Sequence, residues 1–166
     1  MDITLHLVSV DQLTGARCLT DETAVYQAIT SNVSSIDLGP CWPALHVMLT
    51  NGEPPMPRYV AAEQDLEWDD ESFENLLMGG EPTPYEDELG FARYLSPAAV
   101  RRFAPRLSEV SETDFVERLD DDILEYLPTG WDAARARPVL VTQFQKLVAF
   151  YRATAVAGDG LLLHVS

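Results

Sequence analysis

Hydrophobic residues alternate with polar ones at the start of the chain and recur at helical spacing further along. In residues 3–8, Ile3, Leu5 and Leu7 are separated by single residues, which is the period of a half-buried strand. The apolar run within residues 160–165 follows a glycine and predicts a closing strand. Strands at both ends with helices between them predict an α+β domain whose first and last strands share a small sheet.

Capping residues and prolines predict where the intervening helices begin and end. Thr20 or Asp21 can cap a helix that runs to about residue 30. Pro43 is placed as the first residue of a helix over about residues 43–51, with Trp42 just outside it.

The later helices are predicted in the same way. Ser96 and Pro97 begin a helix that Pro105 is expected to end or kink. Pro138 is expected to open a long helix, because apolar residues recur after it at intervals of three and four, and Gly158 is its predicted C-cap.

The composition limits the kind of protein this can be. The 166 residues are the length of one domain, and the 11 basic and 27 acidic side chains give a net charge of −16. A strongly acidic surface repels nucleic-acid backbones and anionic membranes, and favours basic proteins and cations. Cys18 and Cys41 are too few for a disulfide framework or a zinc site, and with no signal peptide or membrane span evident we expect a cytoplasmic protein.

An acidic loop region is predicted at about residues 52–90, with eleven acidic residues and no basic one between positions 63 and 88. Trp68, Phe73 and Tyr85 are interleaved with these carboxylates. Aromatic rings can anchor a partner while the carboxylates steer a basic surface towards them, so this region is a candidate docking surface. A solvated loop without a partner explains the same composition.

The segment of residues 37–50 brings Asp37, Trp42 and His46 close together in an otherwise apolar stretch. An aspartate that orients an imidazole could make it a general base, with the indole excluding water. Asp37 and His46 could equally satisfy each other as buried polar groups. Arg93 could bind an anionic ligand or, alternatively, tie down neighbouring carboxylates.

His6 and His164 lie on the two terminal strands. If these strands pair, the two imidazoles share one face of the sheet and could bind a metal with a nearby carboxylate. Two polar residues on a less buried face account for the same pattern, and we predict no metal and no cofactor. Signatures such as a phosphate-binding loop, a nucleophile elbow or a zinc-protease helix are absent from the sequence.

Five blocks along the chain resemble the YfbM-like family, small bacterial proteins built around a domain of unknown function. The resemblance implies a compact α+β fold and no activity. Gly39-Pro40 departs from it, because members usually carry an acidic residue and a lysine there. The blocks are Asp37-Leu38 with Trp42, Leu45-His46 and Leu49-Thr50; Gly79-Gly80-Glu81; Gly90 with Ala92 to Pro97; Tyr126-Leu127-Pro128 with Trp131; and Phe150-Tyr151 with Gly158-Asp159 and Leu161-Leu162.

Two hypotheses about function follow. The first is a non-enzymatic protein-binding module, for instance an inhibitor or immunity-type partner of a basic protein. It depends on the charge, the aromatic and acidic loop, and the missing catalytic signatures. The second is a small-ligand binder or enzyme of unknown reaction that uses Asp37, Trp42, His46 and Arg93, and it requires those four side chains to meet in one pocket.

Overall fold

The computed structural model describes residues 3–31, 34–50, 52, 55 and 73–166. Within them, five strands form one antiparallel sheet with the order β2-β1-β5-β4-β3. The two terminal strands pair with each other along their whole length, as the sequence predicts. The strands are β1 (Leu5–Val10), β2 (Ser35–Asp37), β3 (Glu81–Asp87), β4 (Gly90–Leu95) and β5 (Gly160–Val165).

Helices cover both faces of this sheet. All six residues of β5 are therefore buried, where a sheet covered on one side only would leave alternate residues exposed. The described helices are α1 (Gln12–Cys18), α2 (Glu22–Ser31), α3 (Trp42–Thr50), α4 (Asn75–Met78), α5 (Pro97–Glu109), α6 (Glu112–Glu117) and α7 (Ala133–Ala157), with a first 3₁₀ turn (Gly39–Cys41) and a second 3₁₀ turn (Asp121–Tyr126).

The sheet separates two hydrophobic cores. On its larger face, Leu5, Leu7 and Leu163 pack against α3, α5 and α7. On its smaller face, Val8 and Leu162 pack against α1 and α2. Because successive residues of a strand point to opposite faces, each strand residue can be assigned to one of the two faces of the sheet.

Two predicted helix starts were wrong, each at a proline, and Pro105, which was expected to end or kink α5, does not end it. Trp42 is the first residue of α3, because the first 3₁₀ turn leads directly into that helix and Pro43 falls in the first turn. Pro105 and Pro138 lie inside α5 and α7. Each proline removes a hydrogen bond to the carbonyl four residues earlier, and in both cases that carbonyl belongs to an exposed residue that water can reach.

Other predicted boundaries are confirmed. The Ser96 hydroxyl accepts a hydrogen bond from the Ala99 N–H at 3.2 Å and caps α5. Gly158 ends α7 in the left-handed conformation, with a φ of 74°. Helix α7 begins at Ala133, five residues before the start predicted at Pro138. The Asp132 carboxylate caps this helix by accepting a hydrogen bond from the Arg135 N–H at 2.8 Å.

Part of the region predicted as an acidic loop forms a helix and a strand. Residues 73–90 contain the buried helix α4 and the strand β3, which forms a hairpin with β4. Most of residues 52–72, including Trp68, lies outside the described residues.

Candidate functional site

Trp42 and His46 lie one turn apart on α3 and are both buried, with 8% and 2% of their surface exposed. The indole Nε1 and the imidazole Nδ1 have no hydrogen-bond partner among the described residues. Burial lowers the pKa of His46 from 6.5 to about 4, so the imidazole is neutral at neutral pH. An uncharged ring with an unused nitrogen is able to donate to or accept from a ligand atom.

Asp37 does not interact with His46. Its Oδ1 accepts a hydrogen bond from the Gly39 N–H at 2.6 Å and so fixes the turn into the first 3₁₀ turn. The expectation that Asp37 and His46 satisfy each other was therefore wrong, because the aspartate serves the local backbone, while the imidazole points into the core.

The strand register separates Asp37 from Arg93. Asp37 pairs with His6, which lies on the smaller face because its neighbours in β1 point into the larger core. Arg93 pairs with Leu163, which lies on the larger face. The sheet therefore stands between the two side chains, and the structure does not bring the four residues of the second hypothesis together.

The two aromatic candidates that the structure describes make contacts within the chain. The Arg106 guanidinium lies 4.8 Å from the centre of the Phe73 ring. Tyr85 meets the His164 ring edge-on, with 5.7 Å between the ring centres. Both rings are half-buried.

His6 and His164 are direct cross-strand partners, as the pairing of the terminal strands predicts, and their ring centres are 6.3 Å apart. The Nε2 atom of His6 is 2.7 Å from Ser166 Oγ, and that of His164 is 2.5 Å from Asp87 Oδ2. In the part of the chain that the structure describes, no group of three or more His, Cys, Asp or Glu side chains is arranged to hold a metal ion. We interpret the two histidines as structural residues that hold neighbouring parts of the chain together through side-chain hydrogen bonds.

A cleft that the sequence analysis did not predict lies where α3 meets the second 3₁₀ turn. Its volume is ≈ 490 Å³. Val47, Met48 and Ile123 contribute apolar surface to it, and acidic side chains surround them. We call it the acidic cleft; it is lined by Val47, Met48, Gly52, Arg118, Asp120, Asp122, Ile123, Glu125 and Tyr126.

The acidic cleft carries three carboxylates and one cation, Arg118. The Arg118 Nη1 donates to the Met48 carbonyl at 2.9 Å, so this cation is held at the end of α3. Asp120 caps the second 3₁₀ turn through the N–H groups of Asp122 and Ile123. Asp120, Asp122 and Glu125 form no ion pair with a described residue.

Tyr126 carries a further sign of this negative field. A hydrogen bond to Glu125 and the negative charge around it raise the pKa of the Tyr126 hydroxyl.

A signal for the cleft exists in the sequence. Residues 109–125 contain eight acidic side chains and one basic side chain, Arg118, which gives 1 − 8 = −7 over seventeen residues. The sequence analysis concentrated on the longer acidic run at 63–88. Val47 and Met48, which supply apolar surface to the cleft, come from α3, about seventy residues earlier, and no local pattern shows that contact.

The fold is that of a small α+β domain with a five-stranded antiparallel sheet covered on both faces. The family profile described as "Domain of unknown function (DUF1877)" matches residues 1–164, so the chain belongs to this family. The resemblance to the YfbM-like family is confirmed by the crystal structure of YfbM, a protein of unknown function from Escherichia coli.

The two structures agree with a TM-score of 0.68 over 98% of this chain and 99% of YfbM, at 16% sequence identity. Likeness at this identity shows a shared fold. No curated protein matches the sequence. Within the described residues, none of the helices has the length and apolar composition needed to cross a bilayer.

Proposed function

We propose that this protein is a non-enzymatic binding module for a basic protein, and that the acidic cleft receives basic side chains of that partner. The observation that carries the proposal is a concave surface in which Asp120, Asp122 and Glu125 lack a cationic partner among the described residues. Carboxylates around an apolar floor favour a cationic group with an aliphatic stem, which arginine and lysine side chains both have.

The net charge of −16 supports the same partner. A field of one sign raises the association rate of an oppositely charged protein by ~10- to 1,000-fold at low ionic strength. Binding of this kind weakens as salt is added, because exposed charges are screened beyond about 10 Å at 0.1 M salt. An inhibitor or immunity-type role is one form that such binding takes, and the proposal assigns no catalytic residue.

The experiment compares two double variants that remove the same charge. D122N/E125Q neutralises two exposed carboxylates of the acidic cleft and leaves the capping Asp120 in place. E86Q/E88Q neutralises two exposed carboxylates in the hairpin region, at the end of the acidic run that the sequence first suggested as a docking surface.

Wild type and both variants are used to capture partners from an extract at 50 mM and 300 mM salt, and the association rate of any captured protein is then measured. We expect a basic partner whose association with D122N/E125Q is roughly 3- to 10-fold slower than with wild type. E86Q/E88Q should resemble wild type. Equal loss in both variants would assign the effect to net charge alone, and the reverse order would move the docking surface to the hairpin.

A further inference from the structure

Arg93 is a half-buried cation that has no acidic partner among the described residues. It lies on β4 and points to the larger face of the sheet, opposite Leu163 in the register. Its Nε donates to the Gly80 carbonyl at 3.0 Å. Its Nη1 is buried and has no hydrogen-bond partner among the described residues, and Arg93 forms no ion pair with any of them.

Nineteen of the 27 acidic side chains lie within the described residues, and none of these nineteen forms an ion pair with Arg93. A guanidinium keeps its charge in proteins, and partly removing that charge from water without a counter-charge is unfavourable. Burial lowers the pKa of Arg93 and is the one cause of that shift. A structural arginine would be expected to hold a neighbouring carboxylate, so a ligand that supplies the missing charge is the better explanation.

The backbone beside Arg93 is fixed in a way that orients the guanidinium. Gly80 has a φ of 89°, and a Cβ at this position would lie 2.5 Å from the Tyr94 carbonyl oxygen. The backbone at Gly80 therefore lies in direct contact with the backbone of β4, an approach that a residue with a Cβ would prevent. The Gly80 carbonyl that accepts from Nε is thus held in place, and the rest of the guanidinium fork is preorganised.

We propose that Arg93 binds the carboxylate of a small, singly charged organic acid. A guanidinium presents parallel N–H groups that match the two oxygens of a carboxylate. The single positive charge of Arg93 balances one negative charge on a ligand. The protein's net charge of −16 disfavours ligands that carry more than one negative charge. The site is distinct from the acidic cleft, since Arg93 does not line that cleft, and either proposal can fail without the other.

The test uses acetate as the probe and follows the Arg93 Nε–H signal by NMR at constant pH and ionic strength. R93K keeps the charge without the fork, and R93Q removes the charge. R102Q is the matched control, because Arg102 is an exposed arginine of α5. We expect a saturable shift of the Arg93 signal in wild type and in R102Q. Acetate should raise the melting temperature of both proteins. The apparent affinity for acetate should be at least about fivefold weaker in R93K, and acetate should not change the melting temperature of R93Q.

Three results would overturn the proposal. The first is an Arg93 signal that does not respond to acetate, and the second is an equal thermal shift in wild type and R93Q. The third is tighter binding of phosphate, or of the peptide N-acetyl-triglycine, than of acetate. Either result would show that the ligand of Arg93 is not a small monocarboxylate. The wild-type titration decides the matter even if the variants fold poorly.

Discussion

Replacing His46 by leucine should remove a large part of the acid sensitivity of this protein. His46 is 2% exposed, and burial lowers its pKa from 6.5 to about 4. Above pH 6.5 the imidazole is neutral in the folded and the unfolded chain, so its titration contributes nothing to stability there. As the pH falls from 6.5 towards 4, the unfolded chain binds a proton that the folded chain excludes, and the folded state loses stability.

The pKa difference sets the size of this loss. Each pH unit between 6.5 and about 4 corresponds to about 1.4 kcal/mol, so the full loss is about 3 kcal/mol. Most of this loss of stability should have occurred by pH 4.5. H46L lacks the titrating group, and its side chain has a volume that the surrounding core can accept. Because Nδ1 makes no hydrogen bond with a described residue, H46L should differ from wild type by less than about 1 kcal/mol at pH 7.5.

The assay is urea unfolding followed by circular dichroism at pH 7.5, 6.5, 5.5 and 4.5. The difference between wild type and H46L at each pH isolates His46 from the many carboxylates that also titrate. H6Q serves as a control, because His6 is a half-buried imidazole on the opposite face of the sheet. If the difference between wild type and H46L changes by less than about 1 kcal/mol across this range, His46 is not held neutral by burial and the reasoning fails.

Two further substitutions test the packing around the sheet by denaturant unfolding at pH 7.5. Y151F should cost about 1–2 kcal/mol, because the buried Tyr151 hydroxyl donates to the Leu76 carbonyl at 2.6 Å, and a cost near zero would mean that this bond is unimportant. G80A should cost more than about 2 kcal/mol and G130A about 1 kcal/mol, since both glycines have a positive φ and only a Cβ at Gly80 meets backbone atoms. Equal costs for the two would refute the close approach.

The sequence predicts the framework of the fold well because that framework depends on local patterns. The alternation in residues 3–8 and the apolar run at 160–165 identify two strands that pair in the structure. Gly158 ends α7 for the reason predicted, since a glycine accepts the left-handed conformation without strain. These features can be read within a few residues of chain.

The hairpin of β3 and β4 is harder to recognise. Strand β3 carries Pro82 and Pro84 and several acidic residues, all of which argue against a strand. The structure resolves this conflict by placing β3 at the edge of the sheet, where a proline need not donate to a second neighbour. Position in the sheet is a tertiary property, and composition alone does not give it.

The candidate site shows the same limit. Asp37 and His46 are nine positions apart, yet the aspartate stabilises a turn while the imidazole enters the core. Asp37 and Arg93 are assigned to opposite faces by three strand pairings that pass through two other strands. The acidic cleft joins α3 to the second 3₁₀ turn.

Polar side chains are buried on both faces of the sheet. On the smaller face, His6 and His164 each have a side-chain partner, which accounts for a polar row between hydrophobic helices. On the larger side, Trp42, His46 and Arg93 each bury a nitrogen atom that no described residue pairs with. Buried polar atoms are rarely left unpaired without a reason, so substitutions of Trp42, His46 and Arg93 should be tested for an effect on ligand binding as well as on stability.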